Sequence, residues 1–394
     1  MTGVWAELLG HGWGGWRGNW RSEQVLAKRA GRWVLEQSGC ESDHWPDLSH
    51  ALAALWPQRG ARDGSPWMVG WMGYEEAANL AGNLPTRSGE DSAPAGRFLL
   101  DPEPAPAADD AAIPAFESLG SVCWSLDGEE YRDGVEAIRD RIASGDVYQV
   151  NLSRRLTVEG SNRLMGPFAV AAAKGGEPDY LARFHFDNGE LLCASMELLL
   201  RRRSDILETC PIKGTRPRGA SVEEDQRLAE ELFADPKEQA ELAMVIDLER
   251  NDLGRVSQIG SVEVVDRGSV RRYATVHHLV GRVRGRVRPG LEWWEVLAAM
   301  VPGGSVTGCP KHAAMSMIRD LEPVQRGPFT GALGVVTGDG DMEFALPIRT
   351  AWRMGKRLEF AAGCGVVWES NPEAEEKECR LKVARWLDLV GCAG

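Results

Sequence analysis

Tyr131-Arg132-Asp133-Gly134-Val135-Glu136-Ala137-Ile138-Arg139-Asp140-Arg141-Ile142-Ala143-Ser144-Gly145-Asp146-Val147-Tyr148-Gln149-Val150-Asn151-Leu152 is the stretch whose pattern sets the fold class. Tyr131, Val135, Ile138 and Ile142 fall three or four apart, a helical stripe that stops at Gly145. From Tyr148 to Leu152 apolar and polar residues alternate, as in a half-buried strand. Working outward, 191–200, 261–265 and 357–361 also read as strands, and 222–234, 236–247, 292–301, 310–321 and 373–390 as helices. Strands and helices are both plentiful but do not alternate as βαβ units require. The expectation is an α+β architecture built on antiparallel sheets.

The chain has 394 residues, enough for one large domain or two smaller ones with a well-buried core. Hydrophobic residues make up 43% and charged residues 26%, an ordinary globular composition. The 45 Lys and Arg against 58 Asp and Glu give a net charge of −13, which repels phosphate backbones and argues against nucleic acid as a partner. A small anionic substrate stays compatible, because a pocket gathers its own cations. No apolar run approaches the roughly eighteen residues a spanning helix needs, so no membrane partner is expected. The start, Met1-Thr2-Gly3-Val4-Trp5-Ala6-Glu7, lacks the charged and apolar segments of a secretion signal. Eight cysteines run from Cys40 to Cys392 without a CxxC pair, which reads as reduced thiols in the cytoplasm.

Nine of the fifteen tryptophans lie between Trp5 and Trp71, and aromatic packing explains them better than a ligand cage. Residues 86–116 are rich in Pro, Ala, Asp and Ser and read as a long surface connection. The expected division is a Trp-rich N-terminal lobe over 1–120 and a second region over 121–394.

Several segments carry chemistry. Glu238 and Glu241 are three apart on one expected helix, and Glu375 and Glu378 on another, so each pair shares a helix face. Alone, each pair reads as a solvated face, and Lys382 as an i,i+4 partner of Glu378. Facing each other, they supply hard oxygen ligands of the kind magnesium prefers. Gly303-Gly304-Ser305-Val306-Thr307-Gly308-Cys309-Pro310-Lys311 is a Gly-rich turn feeding a helix, with Pro310 expected at the first helical position. It is not a Walker loop, since Cys309 and Pro310 separate Gly308 from Lys311. In Cys210-Pro211-Ile212-Lys213-Gly214-Thr215-Arg216-Pro217, a lysine flanked by Ile and Gly is a candidate for a partly desolvated, nucleophilic amine. Asp247 to Val256 is dense in charge and reads as a salt-bridged helix exit. No cysteine sits in the Gly-x-Cys-x-Gly elbow of a glutaminase, and there is no Rossmann GxGxxG or zinc spacing.

Taken together, these segments resemble the chorismate-utilising enzymes: anthranilate, aminodeoxychorismate, isochorismate and salicylate synthases. The motifs that carry the resemblance occur in one order: Pro211-Ile212-Lys213-Gly214-Thr215, Asp247 to Val256, His277-His278-Leu279, the 303–311 loop, Ile348-Arg349-Thr350, Gly363-Cys364-Gly365 and Glu375-xx-Glu378-xxx-Lys382. They cover about residues 125 to 390, with Gly70-Trp71-Met72-Gly73-Tyr74-Glu75 as a fainter echo. The resemblance implies antiparallel sheets packed as a sandwich and surrounded by helices, with 121–394 as the chorismate-binding region. It also implies the aminodeoxychorismate branch, component I, because lysine at the position of Lys213 is typical there and Ala is usual elsewhere. Gln149 agrees, since the hydroxylating members carry a lysine at that place.

Carried over residue by residue, the resemblance makes Glu241 and Glu378 magnesium ligands, with Glu238 and Glu375 nearby or acting through water. Glu197 takes the general-acid position and Lys213 that of a covalent nucleophile. Gln149, Gly214, Thr215, His278, Thr307, Phe329, Arg349, Gly363, Gly365 and Lys382 become substrate contacts. Met196, Cys364 and Phe329 depart from the family pattern, and Phe329 removes a hydroxyl contact to a substrate carboxylate. The implied reaction converts chorismate to 4-amino-4-deoxychorismate with ammonia from a separate glutaminase subunit. The rivals are anthranilate synthase component I, a non-catalytic family member serving as a partner subunit, and a phosphate-binding module on the 303–311 loop.

Overall fold

A computed structural model describes residues 4–37, 40–59, 64–88, 93–105, 121–159, 178–186 and 189–389. Two antiparallel sheets dominate these residues. The first runs Gly308–Cys309, Gln149–Glu159, Arg357–Val366, Thr350–Met354, Gly189–Ser195, Tyr180–Phe186, Trp5–Leu8, Gly18–Arg21 and Glu103–Pro104, with Val122–Trp124 also paired to Gln149–Glu159. The second runs Ile212–Pro217, Val276–Arg286, Ile206–Cys210, Leu198–Arg203, Met342–Ala345, Ala332–Thr337, Pro66–Met72, Gly96–Leu100, Gln24–Arg29, Arg32–Gln37 and Cys40–Trp45, with Glu263–Arg272 paired to Val276–Arg286.

The sheets pack face to face. Ala6, Leu8, Ala182, Phe184, Leu191 and Trp352 from the first meet Val25, Ala27, Val69, Trp71, Leu99, Leu333 and Val335 from the second in one core. Trp71 meets Phe184 edge-on across the gap, with ring centroids 5.0 Å apart. Each outer face is covered by helices. Gly128–Ala143, Lys311–Leu321 and Pro372–Leu389 lie on the first sheet, and Leu48–Leu55, Pro236–Gly254 and Trp293–Met300 on the second. Pro66–Met72, covered on both sides, is buried throughout: Met68 and Met72 face the helices while Val69 and Trp71 face the other sheet. The expected α+β sandwich surrounded by helices is the fold observed.

The helix read from Tyr131 onward spans Gly128–Ala143 and opens with a capping box between Asp127 and Glu130. Two expectations need correction. The Pro/Ala-rich stretch is not a single surface connection, because Gly96–Leu100 inside it is a fully buried inner strand. Its apolar run Phe98-Leu99-Leu100 decides this against the composition around it; 89–92 and 106–120 lie outside the described residues. The strand expected over 191–200 is two strands, Gly189–Ser195 in the first sheet and Leu198–Arg203 in the second. The chain crosses between sheets at Met196-Glu197.

Strands from residues on both sides of position 120 share both sheets. The early tryptophans accordingly pack across that position: Trp56 and Trp67 both meet Trp293 edge-on. The seven described cysteines are free. Among the described residues no helix is long and apolar enough to cross a membrane.

Candidate active site

A cavity of about 760 Å³ opens where the edges of the two sheets and two helices meet. That volume suits a single small ligand. Its walls bring together Glu197, Lys213, Gly214, Thr215, Glu238, Glu241, His278, Phe329, Arg349, Gly363, Gly365, Glu375, Glu378 and Lys382. These are all but two of the sixteen residues to which the resemblance gives a role in the site. Gln149 and Thr307 lie behind the wall. Thr307 is fully buried, and its hydroxyl donates to the Gly303 carbonyl at 2.9 Å. Its own carbonyl accepts from the Asn151 amide at 2.8 Å.

The carboxylate wall comes from two helices. Pro236–Gly254 starts at Asp235, whose side chain caps the amides of Lys237 and Glu238, and so points Glu238 and Glu241 inward. Pro372–Leu389 brings Glu375 and Glu378 to the other side. Gly214 makes room for this approach: its φ is +64°, and a Cβ there would lie 3.0 Å from Glu238 Oε2 and 2.7 Å from Leu232 Cδ1. Burial raises the pKa of Glu241, and the charges of Glu238 and Glu375 add to the rise against Lys213 and Lys237. Such mutual repulsion is what a bound cation relieves. The four carboxylates line one wall, and among the described residues the ligand atoms of Glu375 and Glu378, with the Cys364 thiol, lie within 4.8 Å of one another; oxygen donors of this kind suit a hard cation such as magnesium. Burial also opposes ionisation of Glu378, but Lys382 at 2.9 Å outweighs it and the net shift is downward. Lys382 further donates to the Gly363 carbonyl at 2.8 Å.

Glu197 sits at the crossover between the sheets, 4% exposed, where Ser195 Oγ accepts from its amide at 3.1 Å. Burial pushes its carboxyl up to about 7, even though Ser305 Oγ donates to it at 2.5 Å and the Lys213 charge opposes the rise. It therefore holds a proton near neutrality. Lys213, from strand Ile212–Pro217, has no ion pair with any described residue. His278 is 4% exposed, and burial depresses its pKa to about 4, so it is neutral. A carbonyl only accepts, so the 2.9 Å contact of Nδ1 with Gly214 O puts the proton on Nδ1. Nε2 is then a bare, unpartnered acceptor that suits a hydroxyl rather than a carboxylate. Arg349 lines the cavity with φ +50°, a left-handed conformation uncommon for arginine.

The 303–311 loop is no anion cradle. Pro310 precedes helix Lys311–Leu321 with extended ψ of 140°, rather than occupying its first turn, because Gly308–Cys309 pairs as a strand with Gln149-Val150. Lys311 is committed to buried Asp252 at 2.6 Å. The charged run from Asp247 belongs to a helix that continues to Gly254, and its buried members are structural. Among them, Glu249 takes a 2.6 Å hydrogen bond from Thr209. Burial pushes Glu249 up to about 8, with Asp252 and Glu197 adding to the rise against Thr209 and Lys311. The motifs missed Asn151, although it lies two residues after Gln149 on the same strand face. They also gave no role to Ser305, which sits inside the Gly-rich loop, or to the Cys364 thiol, grouped here with Glu375 and Glu378.

A stability prediction arises here. Glu197 at about 7 and Glu249 at about 8 stand above the ordinary carboxylate value of 4.5. Between those values the folded chain keeps protons that the unfolded chain has released, so stability falls as pH rises through that window. The urea midpoint is expected to be higher at about pH 5 than at about pH 8. Glu249→Gln should flatten that slope; an unchanged slope would reject the assignment.

The chorismate binding enzyme family profile matches residues 13–388. A region of 250 residues, 64% of this chain, is 42% identical to anthranilate synthase component 1 1 of Haloarcula marismortui and covers 51% of that protein. Aminodeoxychorismate synthase component 1 of Bacillus subtilis is 39% identical over 264 residues, 66% of this chain and 56% of that one. The match thus spans about half the length of these curated relatives. In structure, anthranilate synthase component I from Streptococcus pneumoniae superposes with a TM-score of 0.76 at 26% identity, covering 99% of this chain and 92% of the other. The isochorismate synthase MenF of Escherichia coli shares the fold, with a TM-score of 0.74 at 19% identity over 99% and 95% of the two chains. The chain belongs to the chorismate-binding enzyme family.

Proposed function

We propose that this chain aminates chorismate at C4, giving 4-amino-4-deoxychorismate, with Lys213 as a covalent nucleophile. The observation that carries the reading is the placement of the Lys213 amine, without an ion pair among the described residues, in one cavity with buried Glu197 and the carboxylate wall.

Glu241 and Glu378 hold magnesium, with Glu238 and Glu375 beside them. When bound, the metal neutralises the ring carboxylate and makes the ring a better electron acceptor. Once it has given up its proton, the Lys213 amine forms a bond to C2, the ring double bond shifts, and the C4–oxygen bond breaks. Glu197 gives its proton to the departing hydroxyl, which leaves as water. Ammonia then bonds to C4, the double bond shifts back, and Lys213 departs with the C2–nitrogen electron pair. The proton released from the new ammonium returns to the Glu197 carboxylate. Lys382 and Arg349 supply positive charge for the substrate carboxylates, and His278 Nε2 accepts from a hydroxyl.

No Gly-x-Cys-x-Gly elbow exists in the chain, so the ammonia source is a separate glutaminase subunit. The chain alone is expected to use ammonium salts and not glutamine, with glutamine activity appearing once a glutaminase subunit is added. Glutamine turnover by the chain alone, followed by assay of released glutamate, would reject this division. Since Glu197 must be protonated, kcat is expected to fall as pH rises through about 7.

A second reading is favoured by the name anthranilate synthase that several relatives carry: amination at C2. Incubation with chorismate, magnesium and ammonium, with chromatographic identification of the product, separates the two. Anthranilate as the product would overturn the C4 reading.

A further inference from the structure

Arg326 is 3% exposed, and its guanidinium makes five hydrogen bonds, one for each N–H it carries. Nε and Nη2 grip the buried Glu322 carboxylate at 2.9 and 2.7 Å. Nη1 donates to the Val306 carbonyl at 2.8 Å and to Thr330 Oγ1 at 3.3 Å. Nη2 also donates to the Asn151 carbonyl at 2.7 Å. The seat for this side chain comes from the Gly70-to-Glu75 segment. The Tyr74 ring lies 4.8 Å from the guanidinium, and the Glu75 carboxylate accepts from the Arg326 and Gly327 amides at 2.8 and 3.1 Å. Thr330 is held at φ +61°, which a β-branched residue adopts only where its surroundings enforce it.

Asn151 and Val306 both line the cavity, as does Phe329 beside Thr330. Val306 follows Ser305, whose Oγ donates to Glu197 Oε1 at 2.5 Å. An acid that gives its proton in one direction needs its carboxyl rotation fixed, and this bond fixes it. We propose that Arg326 is a positioning residue for that acid: its grip on the Val306 carbonyl keeps Ser305 on Glu197. The assignment rests on the role given to Glu197 above. The groups that face Glu197 are Ser305, Lys213 and the Ile212 amide, with Glu249 from the helix Pro236–Gly254. Glu322 neutralises the guanidinium, so Arg326 acts on Glu197 through the backbone it holds rather than through its charge. The Gly70-to-Glu75 segment thereby gains a task, since it seats the arginine that holds the loop.

Titration of Glu197 by NMR, with isotope-labelled glutamate carboxyls, tests this without turnover. Its resonance is the one missing from Glu197→Gln, and in the wild type it should titrate at about 7. Ser305 favours the charged form, so Ser305→Ala is expected to raise that midpoint by about one pH unit. Arg326→Met made together with Glu322→Gln leaves no buried charge unpaired and should raise it likewise. Arg326→Lys keeps the pair with Glu322 but cannot fork to two carbonyls, and should raise it less. Adding Ser305→Ala to the double variant should raise it no further, because both act on one bond. In the double variant kcat should fall on the order of 10²-fold, its alkaline limb following the Glu197 midpoint. The KM for chorismate should move within about threefold. If the double variant does not fold, Arg326→Lys decides. Folded variants that lose urea resistance while Glu197 titrates as in the wild type would overturn the positioning role. A raised Glu197 midpoint that kcat ignores would uphold the tie and overturn Glu197 as the acid. Anthranilate as the product with the expected shifts would overturn C4 amination and leave the tie standing.

Discussion

Lys213→Ala is expected to abolish a covalent adduct and to lower C4 amination by roughly 10³-fold, within the range that loss of a catalytic group costs. With chorismate and magnesium but no ammonia, the wild-type chain should accumulate chorismate-derived mass on Lys213, since ammonia is the species that displaces it. The adduct is a secondary amine, not an imine, so it should survive without borohydride and be visible in the intact protein by mass spectrometry. Residual direct attack by ammonia at C2 in Lys213→Ala would give an anthranilate-type intermediate. A wild type without adduct, together with undiminished C4 amination by Lys213→Ala, would reduce Lys213 to a positioning charge.

The second large effect concerns the carboxylate wall. Glu241→Gln and Glu378→Gln should each cost more than the ~10–100-fold typical of outer-shell changes, while Glu238→Gln should stay near that range. Calorimetric magnesium titration should show the same order of affinities without turnover. Circular dichroism should stay native, because both side chains face the cavity rather than the core. Full activity in excess chelator would overturn the magnesium assignment, and equal losses at Glu238 and Glu241 would overturn the ranking.

Much of the site is legible in the sequence because its residues cluster in short motifs with local reasons for their spacing. The two ExxE pairs, the Lys213 segment and Gly363-Cys364-Gly365 all reach one cavity. The relations between motifs are not legible. Nothing near Glu197 announces that Ser305, 108 positions on, donates to it. The fold class follows from the irregular order of helices and strands. The strand Gly96–Leu100 is hidden because five apolar-leaning residues in a Pro/Ala-rich context give too short a signal. The break at Met196-Glu197 is hidden because an apolar run reads the same whether it stays in one sheet or passes to the next.

The interleaving of early and late strands also bears on how a ribosome delivers this protein. Trp5–Leu8 pairs with Tyr180–Phe186, and Pro66–Met72 with Ala332–Thr337. The Trp5–Leu8 edge therefore stays open until the strand Tyr180–Phe186 has been made, and the Pro66–Met72 edge until Ala332–Thr337 has. Pairings so distant along the chain make for slow closure and a period of exposure to self-association. A nascent chain stalled before residue 332 has no partner for the Pro66–Met72 edge. Its segment around Pro66–Met72 should remain protease-sensitive and become protected once Ala332–Thr337 is available to pair.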